Sequence, residues 1–379
     1  MPSLQYGRSW RMGVVFTSYY KDGTIPQRNV VATGLPMASI SFSKRGATAK
    51  LIFGALVEGG ALLGNTRQEP ARLTTGEMNA QSPLPSQDGK KIFFIGELRR
   101  GELVRYDPKS KEFAPYLEGI SAELVSYSPD GKWITYVSYP EGILWRSNLD
   151  GSERLQLTSP PMRAGSSRWS PDGKQIAFAA AEPGKPWRIY LTAPSGGVTQ
   201  ELDVATSQAL DPTWSPDGSS LAFGTRALLQ GGVSEDAQIY LFNLKTRRLT
   251  AIPNSTGKIN PNWSPDGRYL AASEFGYKKT FLFDFATQKW LELTEHGMAN
   301  LTWTRDSKFL YSTGNIGESS SWFRVRIADH QVEQLGKLKG NHAAWGVWGP
   351  WMGLDPSGSP LFLRDVGSQE VYALELQIP

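Results

Sequence analysis

The 379-residue chain contains no cysteine and only three histidines. The absence of cysteine excludes disulfide bonds, thiolate metal sites and cysteine nucleophiles. The histidines, His296, His330 and His342, are not spaced in sequence as metal ligands. We therefore expect neither a metal nor a cofactor.

Long apolar runs and an excess of one charge are also missing. The most apolar stretch, LIFGALVEGGALLG from Leu51, is interrupted by Glu58 and is shorter than the ~20 residues that span a membrane, so no membrane span is expected. The start of the chain has no apolar segment of secretory length, which predicts no signal peptide. The net charge is only +4, without a basic run, so we expect this chain itself to contact no nucleic acid.

The common catalytic motifs are absent from the sequence. There is no G-x-S-x-G nucleophile elbow, no Walker A loop and no H-E-x-x-H. We predict no catalytic residue, and the first expectation is a protein without enzymatic activity.

The main feature of the sequence is a repeated twelve-residue motif. RWSPDGKQIAFA begins at Arg168, TWSPDGSSLAFG at Thr213 and NWSPDGRYLAAS at Asn262, and a weaker copy begins at Ser41. Counted by the aspartate of the motif, the copies are 40 to 49 residues apart. These anchor positions are Asp88, Asp130, Asp172, Asp217, Asp266, Asp306 and Asp355.

Each period is typical of four short strands, a to d, with Pro-Asp-Gly as the a–b turn. Four strands in each repeat of this length predict an all-β β-propeller of four-stranded antiparallel blades. Seven anchors favour seven blades, with six or eight as alternatives. Residues 41–379 are assigned to the propeller, and residues 1–40 match the repeat poorly and could be a degenerate blade.

Two repeated residues have a structural interpretation. An aspartate present in nearly every blade is predicted to be a turn residue rather than a catalytic one. The tryptophans at 169, 214, 263 and 303 are predicted to pack between blades, with aromatic ligand stacking as the alternative.

The motif WSPDGKQIAF, followed by IYL and an LT strand, resembles the TolB-type propeller repeat, a relative of the WD repeat. The stretches GELVRYDPKS and WRSNLDGSERLQLT resemble bacterial proteins in which such a propeller follows a winged-helix domain. The resemblance implies protein or peptide partners and a sensor role in a longer transcriptional regulator. The compartment is left open: cytoplasm if Met1 is the native start, periplasm if the chain is part of a longer TolB-like protein.

The b–c and d–a loops share one face of the predicted propeller and vary in sequence, so we expect the binding site there. Polar residues recur at the start of strand a and would ring the channel mouth, unless they only cap strand ends. His342 and Trp345, in the last d–a connection, are further candidates, although the Gly and Pro spacing of WGVWGPWM favours core packing of its tryptophans over an exposed binding surface. The candidate ligand-binding residues are Ser82, Ser166, Asp211, Asn260, Asn300, His342 and Trp345.

These patterns predict a non-enzymatic, monomeric binding or scaffolding propeller. The alternative is a propeller hydrolase or lyase with its site at the channel mouth. We also expect the C-terminal strand QEVYALELQIP to complete a blade whose outer strand comes from near Leu73, because an unpaired strand would leave an open edge.

Overall fold

The computed structural model describes residues 12–19, 30–32, 50–57, 71–72, 78–88, 91–225, 228–229, 232–233, 237–316, 319–337 and 343–375. The chain forms two compact units. We call Arg100–Val366 the propeller unit, and Met1–Arg99 together with Gly367–Pro379 the terminal unit. The described parts are strands and turns, with one 3-10 turn at Leu117–Gly119, which confirms the all-β class.

The described residues of the terminal unit form two antiparallel sheets. The first has the order β2-β1-β3-β4, made of β1 (Met12–Tyr19), β2 (Val30–Ala32), β3 (Lys50–Val57) and β4 (Ala71–Arg72). The second has the order β35-β6-β5, made of β5 (Asn79–Pro85), β6 (Lys91–Leu98) and β35 (Ser368–Glu375).

The propeller unit contains six four-stranded sheets, and five of them are built from consecutive repeats. Blade I comprises β9 (Ala122–Tyr127), β10 (Trp133–Ser138), β11 (Leu144–Asn148) and β12 (Leu155–Gln156). Blade II comprises β13 (Arg163–Trp169), β14 (Ile176–Ala181), β15 (Arg188–Thr192) and β16 (Gln200–Glu201). Blade III comprises β17 (Leu210–Trp214), β18 (Ser220–Gly224), β21 (Ile239–Asn243) and β22 (Leu249–Ala251), and its b–c loop holds the ladder of β19 (Leu228–Leu229) and β20 (Gly232–Val233).

The remaining blades bring the two ends of the propeller unit together. Blade IV comprises β23 (Lys258–Trp263), β24 (Tyr269–Glu274), β25 (Thr280–Asp284) and β26 (Lys289–Thr294). Blade V comprises β27 (Thr302–Trp303), β28 (Phe309–Ile316), β29 (Ser319–Arg326) and β30 (Val332–Lys337). Blade VI combines β33 (Met352–Leu354) and β34 (Pro360–Asp365) with β7 (Gly101–Asp107) and β8 (Glu112–Pro115).

Apolar clusters between neighbouring blades close the ring. One cluster joins Leu103 and Leu363 of blade VI to Val137 of blade I and Phe178 of blade II. Further clusters join blades II and III, III and IV, IV and V, and V and VI. A four-stranded sheet in this ring therefore buries both faces against its neighbours, as the repeat pattern predicts.

The repeated aspartate is a turn residue in every blade that carries the full motif. In blade II, the Ser170 hydroxyl donates to Asp172 Oδ1 at 2.6 Å, and the same oxygen accepts the Lys174 N–H at 3.1 Å. These hydrogen bonds hold the pKa of the Asp172 carboxyl below its usual range. The same pair of bonds recurs at Asp130, Asp217, Asp266 and Asp306.

The motif tryptophans pack as core. Trp169, Trp214 and Trp303 are buried, and the last two donate their indole N–H to a backbone oxygen of the preceding blade. The structural interpretation is therefore confirmed for these three, and Trp263 is half-buried and packs against the apolar cluster between blades III and IV.

Six blades, one of the two alternatives, make up the propeller unit; the Asp88 repeat contributes β5 and β6 to the terminal unit instead. The expected C-terminal pairing is confirmed in part. β35 does pair with an N-terminal strand, but that strand is β6. Leu73, near which the outer strand was expected, lies outside the described residues, and the neighbouring β4 pairs with β3, with Arg72 opposite Gly54.

Candidate functional site

The inner strands of the propeller unit share a distortion at the end where the d–a connections enter. The a–b register shifts by a bulge in blades I to IV. Leu124, Asp211 and Asn260, which lie at these bulges, have positive φ angles of 54–56°. Bulges re-aim side chains and are frequent beside binding sites. The polar residues predicted from sequence for blades II to IV thus sit at a backbone irregularity around the channel mouth.

The predicted polar residues mainly connect adjacent blades. Ser166 of blade II lies 3.3 Å from an Asp211 oxygen of blade III. The Asn260 amide donates to Ala299 O at 3.0 Å and to the Tyr277 hydroxyl at 3.1 Å. The structure therefore brings these side chains to one rim, where they connect neighbouring blades. This role is close to the alternative interpretation, in which they only cap strand ends.

Of the remaining polar candidates, the described residues place only Asn300 at this rim. Ser82 lies at the bulge of β5 in the terminal unit and is not part of the ring of the propeller unit. His342 lies outside the described residues. Asn300 belongs to the rim, and its amide donates to Pro350 O at 2.7 Å.

A short hairpin within the last d–a connection occupies this rim. Its strands are β31 (Trp345–Gly346) and β32 (Gly349–Pro350), and we call residues 345–350 the mouth hairpin. Besides the Asn300 contact to blade V, its Val347 N–H donates to Glu123 Oε1 of blade I at 2.9 Å. The mouth hairpin therefore reaches from blade V past blade VI to blade I.

Two of the three tryptophans in this stretch are packed. The Trp348 ring stacks obliquely on Trp187 with centroids 4.7 Å apart, and it leaves no room for a side chain at Gly165 of blade II. Trp351 is buried in the core between blades. Trp345, in contrast, is 66% exposed, and no other tryptophan of the described residues counts among the exposed large apolar side chains.

Sequence reasoning missed Glu123, which is the most unusual ionisable group of this rim. Glu123 is 1% exposed, and its Oε2 atom has no hydrogen-bond partner among the described residues. Burial raises the pKa of the Glu123 carboxyl to about 7, although the Val347 N–H and the charge of Arg163 act in the opposite direction. The signal in the sequence was a lone acid in the otherwise uncharged strand AELVSY.

Arg168 adds a second charge to the inner strands. Its guanidinium donates to Ser167 O at 2.9 Å. Burial lowers the pKa of Arg168, and the nearby Asp211 carboxylate partly offsets this effect. The rim of blades I to III thus combines two carboxyl groups, an arginine and aromatic rings.

The described residues contain no group of three or more histidine, aspartate or glutamate side chains placed to hold a metal ion. None of their helices is long and apolar enough to cross a membrane.

Comparison with known proteins identifies the fold. Residues 121–227 match the family model of the TolB beta propeller domain. These residues therefore resemble a TolB-type β-propeller domain. No curated protein matches the chain significantly.

Solved structures are similar at low sequence identity. A candidate TolB from Agrobacterium tumefaciens is 17% identical, with a TM-score of 0.56 over 71% of this chain and 99% of its own. TolB from Acinetobacter baumannii is 18% identical, with a TM-score of 0.47 over 78% and 80% of the two chains. Oligogalacturonate lyase from Vibrio parahaemolyticus is 15% identical, with a TM-score of 0.51 over 78% and 93%. At these identities the likeness concerns the fold alone, and the expected link to winged-helix regulators finds no counterpart among these matches.

Proposed function

We propose that the chain is a binding propeller that holds a protein or peptide partner at the channel mouth of the propeller unit. The observation that carries this proposal is Trp345, an exposed indole on a rigidly based hairpin at the rim. The base of the hairpin is fixed, because Ala344 N–H donates to Leu363 O of β34. Exposed tryptophans are strongly enriched among the residues that dominate binding energies.

The surrounding groups give this indole a fixed polar rim. The side chains of Asn260, Asn300 and Ser166 are hydrogen-bonded to neighbouring elements there, next to the Asp211 carboxylate. An aromatic anchor beside a few fixed polar groups is the usual composition of a peptide-binding surface. A hydrolase or lyase function is supported by fold likeness alone, and fold does not transfer an activity.

Selection and mutation together test the function. Peptides are selected from a random dodecamer display library on the wild-type protein, and their Kd values are measured by calorimetry. We expect Trp345→Ala to weaken binding by more than tenfold, the loss typical of an anchor residue. Val198→Ala is the matched control, because Val198 is 95% exposed in a c–d turn on the opposite face. Equal Kd values for wild type and Trp345→Ala would contradict the proposal.

A further inference from the structure

Beyond its base, the mouth hairpin is attached by the Trp348 ring, which packs on Trp187, and by backbone hydrogen bonds. Its two-residue ladder pairs Trp345 with Pro350 and Gly346 with Gly349, and Gly349 has a φ of 99°. Two of its backbone polar groups reach other blades, because the Val347 N–H donates to Glu123 and Pro350 O accepts from Asn300. Glycines on both sides of a short segment allow the φ and ψ changes that a hinge needs.

Glu123 contacts this hairpin very closely. A Cβ atom added at Gly346 would overlap Glu123 Oε2, so any side chain at this position must displace the Glu123 carboxyl group. The mouth hairpin itself contains no ionisable side chain. Closing it over Glu123 therefore removes the carboxyl group from water and offers it one N–H donor in return.

Few charges face Glu123 from the elements around it. Arg163 of β13 is the cation whose charge acts on it. The packed strands β7 and β34 contribute Glu102 and Arg364, which form an ion pair with each other. From β10, the apolar Val137 stands opposite Glu123. A carboxylate buried with so little compensation is costly, whereas a neutral carboxyl is tolerated.

We propose that the mouth hairpin is a pH-responsive cover of the channel mouth, closed over Glu123 when this residue is protonated and released when it ionises. This regulation rests on the proposed function, since the cover carries Trp345 and lies on the same rim. At low pH the hairpin stays on the rim, and at higher pH Glu123 is hydrated and the mouth widens.

The direction of the pH dependence follows from the linkage between proton binding to Glu123 and closure of the hairpin. The pKa of Glu123 is about 7 in the closed form, against an ordinary value of 4.5 when the side chain is hydrated. The closed form therefore binds the proton more tightly, and its stability relative to the open form falls as pH rises from 4.5 through 7. Between about pH 5.5 and about pH 8 the ratio of open to closed hairpin should increase roughly 30-fold.

Amide hydrogen exchange of the full chain measures this directly and without a ligand. The Val347 amide is protected only while Glu123 accepts its hydrogen bond. After correction for the intrinsic exchange rate, its protection factor should fall roughly 30-fold between about pH 5.5 and about pH 8. The Ala344 amide, bonded to Leu363 O at the hairpin base, is the internal reference and should not change.

Three variants test whether ionisation of Glu123 causes the pH-dependent protection of the Val347 amide. Glu123→Gln keeps an oxygen acceptor but cannot ionise, so Val347 should stay protected at both pH values. Gly346→Ala should leave Val347 unprotected at both pH values, because the methyl group overlaps Glu123. Glu141→Gln is the matched control, an exposed acid in the b–c loop of the same blade, and should behave as wild type.

Two results would overturn the proposal: pH-independent protection of Val347 in the wild type, or a wild-type pH response in Glu123→Gln. Neither result depends on whether a peptide binds at Trp345. The failure of the cover and the failure of the binding function are therefore distinguishable.

Discussion

Asp172 and Asp217 use both their carboxylate and the neighbouring hydroxyl to fix a tight turn. Ser170 Oγ donates to Asp172 and accepts the Gln175 N–H at 2.9 Å, and the following Gly173 has a φ of 69°. The side chains thus replace backbone partners that the turn leaves unpaired. This local origin explains why the role of the aspartates was predictable from sequence alone.

Removing one of these carboxylates should cost stability and leave binding intact. Asp172→Ala and Asp217→Ala each lose two or more turn hydrogen bonds, and we expect a decrease of about 1 kcal/mol in the free energy of unfolding for each variant. Urea titration measures this decrease. Asp203→Ala is the control, because the Asp203 side chain is 91% exposed and has only a distant ion pair with Arg247 at 3.8 Å. Unchanged stability combined with lost peptide binding would show that the motif is functional after all.

Glu123 and Trp345 show where residue-level prediction stops. The polar series at the start of strand a could be recognised because it repeats. Glu123, in contrast, occurs in one blade, and the equivalent positions of the other blades have no acidic residue. Its burial depends on a hairpin more than 200 residues away in sequence, through the bond to Val347. Such a long-range contact has no signature in the local pattern.

At the scale of elements, the decisive feature is the seam between β7 and β34. These strands pair with Leu103 opposite Leu363 and Val104 opposite Phe362, so one apolar pair faces the cluster with blade I and the other faces the cluster with blade V. Glu102 lies opposite Arg364, and the two side chains form an ion pair. Opposite charges and matched apolar pairs across an antiparallel ladder favour this register.

A disulfide across the seam should lock the ring. The chain has no cysteine, so Glu102→Cys with Arg364→Cys introduces a single possible pair. Directly opposite residues of an antiparallel ladder have the Cα separation that a disulfide requires. We expect oxidation to form the bond and to raise the free energy of unfolding by about 2–4 kcal/mol, measured as a reductant-sensitive shift in Tm.

The two single-cysteine variants are the controls for this experiment and should show no reductant-sensitive shift. If the double variant resists oxidation, or if its disulfide lowers Tm, the pairing of β7 with β34 is not the seam of the ring.

For the whole molecule, the periodicity of the sequence predicted the fold class but not which strands of the Asp88 and Asp355 repeats pair with each other. Each anchor repeat encodes a, b and c strands, and the Asp88 and Asp355 repeats are indistinguishable in this respect. In the structure the b strand of one repeat pairs with the c strand of the other: β6 with β35, and β34 with β7. Only two residues separate β6 from β7, and two separate β34 from β35, so strand spacing alone is equally typical of two local hairpins.

The charges on these strands indicate why the non-local pairing is preferred. Local hairpins with two-residue turns would place Glu97 opposite Glu102, a repulsive pair. The observed ladders instead place Lys91 near Glu375, with 3.1 Å between Nζ and Oε1, and Glu102 opposite Arg364. Seven anchors therefore give six blades in the propeller unit, with the remaining strands in the terminal unit.

Truncation at two positions tests this assignment. A chain that ends at Val366 loses β35 from the terminal unit but keeps all six four-stranded sheets of the propeller unit. We expect its propeller unit to retain a cooperative thermal transition and slow amide exchange at buried inner positions such as Ala222. A chain that ends at Trp351 also loses β33 and β34, leaves blade VI with only β7 and β8, and should lose that transition because the ring is open. If removal of β35 alone abolishes the transition and the slow exchange of Ala222, the C-terminal strand closes the propeller itself, as the repeat count had first indicated, and the division into six blades and a terminal unit is incorrect.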